Sequence, residues 1–107
     1  RDYKVLEFRR VLFRSQWEVR GVIATARGDS TDFVSRFFAP QSGVPEDPVT
    51  GSAHTTLTPF WGERLQKKEL SAAQLSARGG RLHCRWNDER VAISGQARLY
   101  LRGSIEW

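Results

Sequence analysis

One short stretch of the 107-residue sequence combines a carboxylate with a site that can bind an anion. It runs from Gly43 to His54 and reads GVPEDPVTGSAH. Pro45 and Pro48 disfavour helical geometry at the residues that precede them, so Asp47 is predicted to lie on an extended and stiffened backbone. A carboxylate that is held in place in this way can serve as a general acid or base.

The residues after the second proline are typical of the start of a helix. Thr50 is a predicted N-cap, Gly51 leaves its own amide sterically open, and Ser52 offers a hydroxyl at the first turn. No acidic residue follows before Glu63 to occupy the positive end of the helix dipole. The first-turn amides are therefore available to an external anion. A carboxylate base beside them could remove a proton from carbon while the amides stabilise the enolate.

Each of these residues also has a purely structural interpretation. Thr50, Gly51 and Ser52 can form an ordinary helix cap, and Asp47 can be a turn residue that bonds a nearby backbone amide. His54 lies one turn into the helix, where it can point to solvent, and it is a weak catalytic candidate. The two histidines and the single cysteine stand at no ligand spacing, so the sequence predicts no metal site.

The elements that position this stretch follow from hydrophobic periodicity. Strands are predicted at Trp17–Ala26 and Asp32–Phe38. Ala39–Thr50 holds three of the four prolines and is predicted to be a loop. Apolar residues from Ala53 to Leu65 recur at helical spacing and predict a helix with one buried face, kinked at Pro59.

A period of two residues returns after the helix. Leu75–Ala77 and Arg81–Trp86 flank Gly79-Gly80 and predict a hairpin. Further strands are predicted at Val91–Ser94 and, from the alternation of apolar and polar residues, at Ala97–Arg102. This order of elements predicts an α+β domain in which an antiparallel bent sheet wraps around one central helix.

Composition limits the function classes. The 17 basic residues exceed the 12 acidic ones, but five basic and two acidic residues lie in residues 1–15 and the other arginines are scattered, so nucleic-acid binding is not favoured. No apolar run reaches the roughly 18 residues of a membrane span, so no membrane partner is expected.

Cys84 lies on the apolar face of a predicted strand and is expected to be a buried, inert thiol. A lone cysteine fits a reducing compartment, which favours the cytoplasm.

Residues 1–15 are interpreted as a segment that is not native to the protein. Residues 6–15, LEFRRVLFRS, can be written in codons that resemble a common sequencing-library adapter read in one frame. Such segments are excluded from fold reasoning, so the domain is expected to span residues 16–107. The alternative is a genuine basic N-terminal helix or strand. If the interpretation holds, the chain is the C-terminal part of a longer protein.

The segments Asp32–Pro40 and Gly43–His54 resemble the signature of the phenazine-biosynthesis F-like isomerase family. The likeness continues through Pro59–Trp61, Leu75–Gly80 and Val91–Ala97, and covers residues 16–106. The resemblance implies a fold related to diaminopimelate epimerase, with two similar halves, each a sheet around a central helix, and an active site in the cleft between them. This chain matches the C-terminal half only.

The resemblance also implies roles for individual residues. Asp47 matches a conserved active-site acid, and Gly51 and Ser52 match positions at the head of the central helix that hold the acidic group of the substrate; Thr50 is included with them as a candidate binding residue. The proton-transferring glutamate of the family belongs to the N-terminal half. Family members use no metal, flavin or nicotinamide, so no cofactor is expected.

These inferences favour the interpretation that the chain is the C-terminal half of a phenazine-biosynthesis-like isomerase. Such an enzyme would work without a cofactor, by acid/base proton transfer on a small carboxylate-bearing metabolite. The expected partners are the carboxylate substrate and, in cis, the missing N-terminal half. A homodimer is compatible with this interpretation. The fragment alone is expected to be inactive and to self-associate, because the surface that meets the other half would be exposed. The alternative is a non-catalytic module that binds a small anion or another protein.

Overall fold

The computed structural model describes the backbone of residues 3–7 and all of residues 21–40 and 43–107. These ranges contain seven strands and one helix in the following order: β1 Tyr3–Glu7, β2 Gly21–Arg27, β3 Phe33–Ala39, β4 Val44–Asp47, α1 Gly51–Leu65, β5 Glu69–Gln74, β6 Gly80–Trp86 and β7 Val91–Ser94. Segment 1–15 lies mostly outside the described residues, and its proposed non-native origin stays a prediction.

The strands form one sheet with the order β1-β2-β3-β5-β6-β7, and β4 pairs with β3 beside this path. Four of the six described pairings are antiparallel, whereas β1 with β2 and β3 with β5 run parallel. The predicted α+β class is confirmed. The parallel pairing of β3 with β5 has a simple cause, because the chain passes through α1 between them and a helical crossover returns the next strand in the same direction.

The helix packs its apolar face against one face of the sheet. Along β3, Phe33, Ser35 and Phe37 are buried while Arg36 is exposed, as the alternation predicts. The ring of Trp61 stacks on Phe33 at 6.1 Å between ring centroids. The buried core consists of Ile23, Phe33, Phe37, Ala39, Ala53, Leu57, Trp61, Leu70, Ala72, Leu82 and Cys84. Within the described ranges, no helix has the length and hydropathy needed to cross a membrane.

The first half of the domain departs from the sequence prediction at one strand. β2 and β3 lie close to the predicted positions, and residues 17–20 of the first predicted strand fall outside the described ranges. The predicted loop 39–50 is wrong over Val44–Asp47, which pairs with the end of β3 as β4. Pro45 is tolerated there because the register shifts between Phe37 and Ala39, and an irregular ladder can accommodate a residue without a backbone N–H.

The predicted hairpin is confirmed, but its first strand was misplaced. Glu69–Gln74 forms β5, whereas residues 75–79 form the connection to β6, with Gly79 at a φ of +75°. Sequence patterning missed β5 because its buried face carries Ala72 and the polar Gln74, which resemble neither a hydrophobic run nor a typical strand. β6 and β7 agree with the prediction.

The strand predicted at residues 97–102 does not form in this structure. Residues 95–107 have no helix or strand, and their large apolar side chains are exposed: Leu99, Tyr100, Leu101, Ile105 and Trp107. An alternating segment becomes a strand only when a neighbouring strand accepts its hydrogen bonds, and the described strands leave this segment unpaired. The expected self-association of the chain, to which these side chains would contribute, stays a prediction.

Candidate functional site

Asp47 is the last residue of β4 and lies three residues before the helix N-cap. Its backbone pairs with Phe37 of β3, so the extended conformation predicted from the two prolines is confirmed. The hydroxyl of Thr50 donates a hydrogen bond to Asp47 Oδ2. Asp47 is therefore held by a side chain from the start of the helix, rather than acting as a turn residue that binds a backbone amide.

The first turn of α1 is accessible beside this carboxylate. Thr50 is the N-cap, with φ −119° and ψ 101°, but its side chain makes no capping hydrogen bond because the hydroxyl is directed at Asp47. The first turn carries no acidic residue, and Gly51 and Ser52 are exposed. A Cβ atom added to Gly51 would meet nothing within 4 Å. A ligand can thus approach the amides at the positive end of the helix dipole.

Gln74 connects the end of β5 to the same loop. Its Oε1 accepts from the Thr50 backbone N–H at 2.7 Å, and its Nε2 donates to the Asp47 carbonyl at 2.8 Å and to Thr50 Oγ1 at 3.1 Å. Sequence reasoning missed this residue. The available signal was a glutamine at a position that alternation assigns to the buried face of a strand.

His54 lies beneath the helix start and is completely buried, so the prediction that it can point to solvent is wrong. Its Nδ1 lies 2.7 Å from the Thr50 carbonyl and its Nε2 lies 3.2 Å from Ser35 Oγ. A carbonyl can only accept, so Nδ1 carries the proton and Nε2 accepts from the Ser35 hydroxyl. Burial lowers the pKa of His54, partly opposed by its bond to the Thr50 carbonyl.

Other contacts fix the loop from the outside. The Arg36 guanidinium donates two hydrogen bonds to Glu46 at 2.8 and 2.9 Å, and this contact lowers the pKa of Glu46. The Ser76 hydroxyl donates to the Pro48 carbonyl at 2.8 Å. A Cβ on Gly80 would lie 2.2 Å from a methyl of Val49, so only glycine lets β6 lie this close to the loop.

The remaining residues singled out in the sequence lie away from this chemistry. Cys84 is buried in the core, and burial raises the pKa of its thiol, which agrees with an inert side chain. His83 is exposed on β6. Among the residues that the structure describes, no group of three or more His, Cys, Asp or Glu side chains is arranged as metal ligands.

The stability of the protein is expected to fall in mild acid because of His54. The pKa of His54 is lower in the folded protein than its ordinary value of 6.5, so the unfolded chain binds the proton first. The stability that neutral His54 contributes is therefore present above about pH 6.5 and is lost as the pH falls through the folded pKa. Melting temperatures measured between about pH 7.5 and pH 5 should fall more for the wild type than for His54→Asn, whose amide does not titrate.

The matched control for this measurement is His83→Asn, which removes an exposed histidine. Its pH dependence should follow that of the wild type. Parallel curves for the wild type and His54→Asn would contradict the assignment of the effect to His54.

Comparison with known proteins places this arrangement in a family. The family model described as phenazine biosynthesis-like protein matches residues 10–103. The chain is 61% identical over 94 residues to an uncharacterised isomerase of Pseudomonas aeruginosa, covering 88% of this chain and 35% of that protein. It is 48% identical over 95 residues to a phenazine biosynthesis-like domain-containing protein of Rattus norvegicus, covering 82% of this chain and 33% of that protein.

A solved structure agrees with the sequence relatives. The crystal structure of a phenazine biosynthesis protein of the PhzF family from Enterococcus faecalis superposes with a TM-score of 0.77 and 49% identity, over 87% of this chain and 36% of that one. The chain spans about a third of the length of the curated relatives it matches. With the family model, the curated relatives and the solved structure in agreement, this chain belongs to the phenazine biosynthesis-like protein family, which includes proteins named isomerases.

Proposed function

We propose that this chain forms one side of the active site of an isomerase that transfers a proton on a small carboxylate-bearing metabolite. One observation carries the proposal: the Asp47 carboxylate is held by Thr50 directly beside the open first turn of α1. A base and an anion site in sequence-adjacent positions are what proton abstraction next to a carboxylate requires. The isomerase names of relatives support the reaction class.

Asp47 is proposed as the catalytic acid or base of this chain. One of its carboxylate oxygens, Oδ2, accepts from Thr50, whereas Oδ1 accepts no hydrogen bond from the described part of the chain. Asp47 is half-buried, so Oδ1 can reach a ligand while the rest of the residue stays fixed. Thr50 is assigned to this site as the residue that orients the carboxylate.

The amides of Gly51 and Ser52 are proposed to bind the acidic group of the substrate. Backbone N–H groups and the helix dipole favour negative charge at this end of α1. As a proton leaves carbon, negative charge spreads into the substrate carboxylate, and donors that already point at it stabilise that charge without reorganising. A donor of this kind contributes about 10²- to 10³-fold in rate.

A complete reaction needs a second proton-transferring group on the other side of the substrate. A proton shift moves a double bond when the proton returns to another carbon, and inverts a centre when it returns to the opposite face. We propose that a glutamate in the part of the full-length protein outside this chain supplies that group, in cis, in a cytoplasmic enzyme. The net reaction is redox-neutral and needs no electron carrier, and the proposal includes no cofactor.

The test is solvent exchange with the full-length protein. The protein, dialysed against EDTA, is incubated in D₂O with a panel of unsaturated and α-amino carboxylic acids. Mass spectrometry is then used to measure deuterium at carbon-bound positions. We expect one acid to gain deuterium at a single carbon at a rate that dialysis does not change. Loss of exchange after dialysis would overturn the cofactor-free mechanism. Carboxylate binding without any exchange would instead favour a non-catalytic anion-binding module.

A further inference from the structure

Gln74 is a buried polar residue that no motif in the sequence accounts for. It is 1% exposed, and both heavy atoms of its amide bond the loop that carries Asp47. In the described part of the chain, every buried side-chain N or O atom has a hydrogen-bond partner, so Gln74 is fully satisfied where it lies. A glutamine whose three hydrogen bonds all end on one loop either stabilises that loop or orients the side chains on it that could take part in a reaction.

The partners determine which way the amide of Gln74 points. The Thr50 backbone N–H can only donate, so it faces Oε1, and the Asp47 carbonyl can only accept, so it faces Nε2. A flipped amide would place two donors together at Thr50 and two acceptors together at Asp47. The orientation therefore follows from the backbone.

This orientation sets the direction of the Thr50 hydroxyl bond. Thr50 Oγ1 has one proton and two lone pairs, and Nε2 of Gln74 donates to one of these lone pairs. The hydroxyl proton is then directed away from Gln74 and toward Asp47 Oδ2. Donation thus runs from Gln74 to Thr50 to the Asp47 carboxylate, which within the described residues is fixed through Oδ2.

The sheet topology places a second anchor next to the first. Ser35 of β3 and Gln74 of β5 are paired in the parallel ladder. Gln74 binds the Thr50 N–H, while Ser35 binds His54, which binds the Thr50 carbonyl. Both backbone groups of the N-cap and its hydroxyl are therefore occupied by partners that reach back to the sheet. Among the side chains that the structure describes, Gln74 hydrogen-bonds both Thr50 and Asp47.

We propose that Gln74 is a positioning residue, which orients the Thr50 hydroxyl and the Asp47 backbone so that Asp47 presents Oδ1 to the substrate. This inference rests on the function proposed above and adds to it a residue outside the loop. Gln74 does not touch the substrate. Its removal should therefore slow proton transfer more than it weakens binding, because the amides of α1 still hold the substrate anion.

The experiment compares two variants of Gln74 in the full-length protein. Gln74→Leu removes every hydrogen bond to the loop. Gln74→Glu keeps an acceptor for the Thr50 N–H, but a carboxyl group has at most one proton to donate, so it cannot bond both the Asp47 carbonyl and Thr50 Oγ1 as the amide does. We expect both variants to lower the kcat of deuterium exchange by about tenfold to a hundredfold with little change in KM, since misplacement by about 1 Å can cost about a hundredfold.

The Thr50 backbone amide gives a readout that does not depend on the reaction. Its hydrogen exchange, followed by NMR, should be at least about tenfold faster in Gln74→Leu than in the wild type and nearly unchanged in Gln74→Glu.

Thr50→Val removes the hydroxyl and should lower kcat as Gln74→Leu does. In the double variant the losses should add only in part, because both variants disturb the hydrogen bond from the Thr50 hydroxyl to Asp47. Thr50→Ser keeps the hydroxyl and should retain activity.

The matched control is Thr25→Val. Thr25 is buried, and its hydroxyl donates to the Val34 carbonyl and accepts from the Trp61 indole, so the variant also loses buried hydrogen bonds, neither of which involves the loop. It should keep wild-type kcat. Equal kcat losses in Thr25→Val and Gln74→Leu, or wild-type Thr50 amide exchange in Gln74→Leu, would overturn the role of Gln74. Absence of deuterium exchange in the wild type would overturn the proposed function and leave the amide measurement to decide on Gln74.

Discussion

Asp47→Asn in the full-length protein is expected to lower the rate of proton transfer by about 10²- to 10⁴-fold, the usual contribution of a general acid or base. The amide keeps the shape of the side chain, and its oxygen can still accept from the Thr50 hydroxyl. The loop should therefore keep its conformation while the basic oxygen is lost. Substrate binding should change little, because the first turn of α1 is intact. The measurement is kcat and KM for deuterium incorporation into the accepted carboxylate.

The matched control for this variant is Asp88→Asn. Asp88 is an exposed carboxylate paired with Lys68, and its φ of +80° is one that asparagine adopts readily. The control makes the same chemical change outside the loop and should retain wild-type kcat. A wild-type kcat in Asp47→Asn would contradict the proposed role of Asp47.

Trp61→Ala is expected to destabilise the protein by about 3–5 kcal/mol, the range found when a large aromatic side chain is removed from a core. Trp61 is 2% exposed, stacks on Phe33, meets the edge of Phe60, and donates its indole N–H to Thr25 at 2.8 Å. Alanine would leave a cavity under α1 and remove the donor to the Thr25 hydroxyl, which would keep its bond to the Val34 carbonyl. Urea denaturation of the full-length protein, compared at equal m-values, measures the change.

Two further substitutions separate the causes of this loss. Trp61→Phe keeps an aromatic ring but loses the N–H, and should cost less than Trp61→Ala, about 1–3 kcal/mol. Trp107→Ala makes the same truncation at an exposed position and should change stability by less than about 0.5 kcal/mol. A loss below about 1 kcal/mol for Trp61→Ala would show that the site is less tightly packed than the structure indicates.

Much of the core was predictable from sequence because it obeys simple periodicity. The buried face of β3, with Phe33 and Phe37, alternates as a half-buried strand must, and the apolar stripe of α1 has helical spacing. The two misassigned strands break these rules for identifiable reasons. β4 contains Pro45, and β5 ends at a buried glutamine. The tail at residues 97–102 has the pattern of a strand but no described neighbour to pair with.

The candidate site likewise has features that were predictable from sequence and features that were not. The extended backbone at Asp47, the N-cap at Thr50 and the open first turn are local properties, so proline placement and capping preferences were enough to predict them. The side chains that hold the loop were not predictable. His54 bonds Ser35, which the parallel ladder of β3 and β5 places beside Gln74, and Gln74 bonds the loop. No local sequence pattern predicts which strands will be neighbours.

The parallel pairing of β3 with β5 also has a consequence for the order in which the protein folds. The hydrogen bonds of Gln74 to Thr50 and Asp47 join residues 24 and 27 positions apart, across the whole of α1. Contacts of this range pay their loop-closure entropy before they gain any stabilisation, so they form after local turns and the helix. The loop that carries Asp47 thus takes its final shape only when the crossover is complete, and a chain with α1 formed but β5 undocked would have the open first turn without the hydrogen bonds that hold the loop to Gln74.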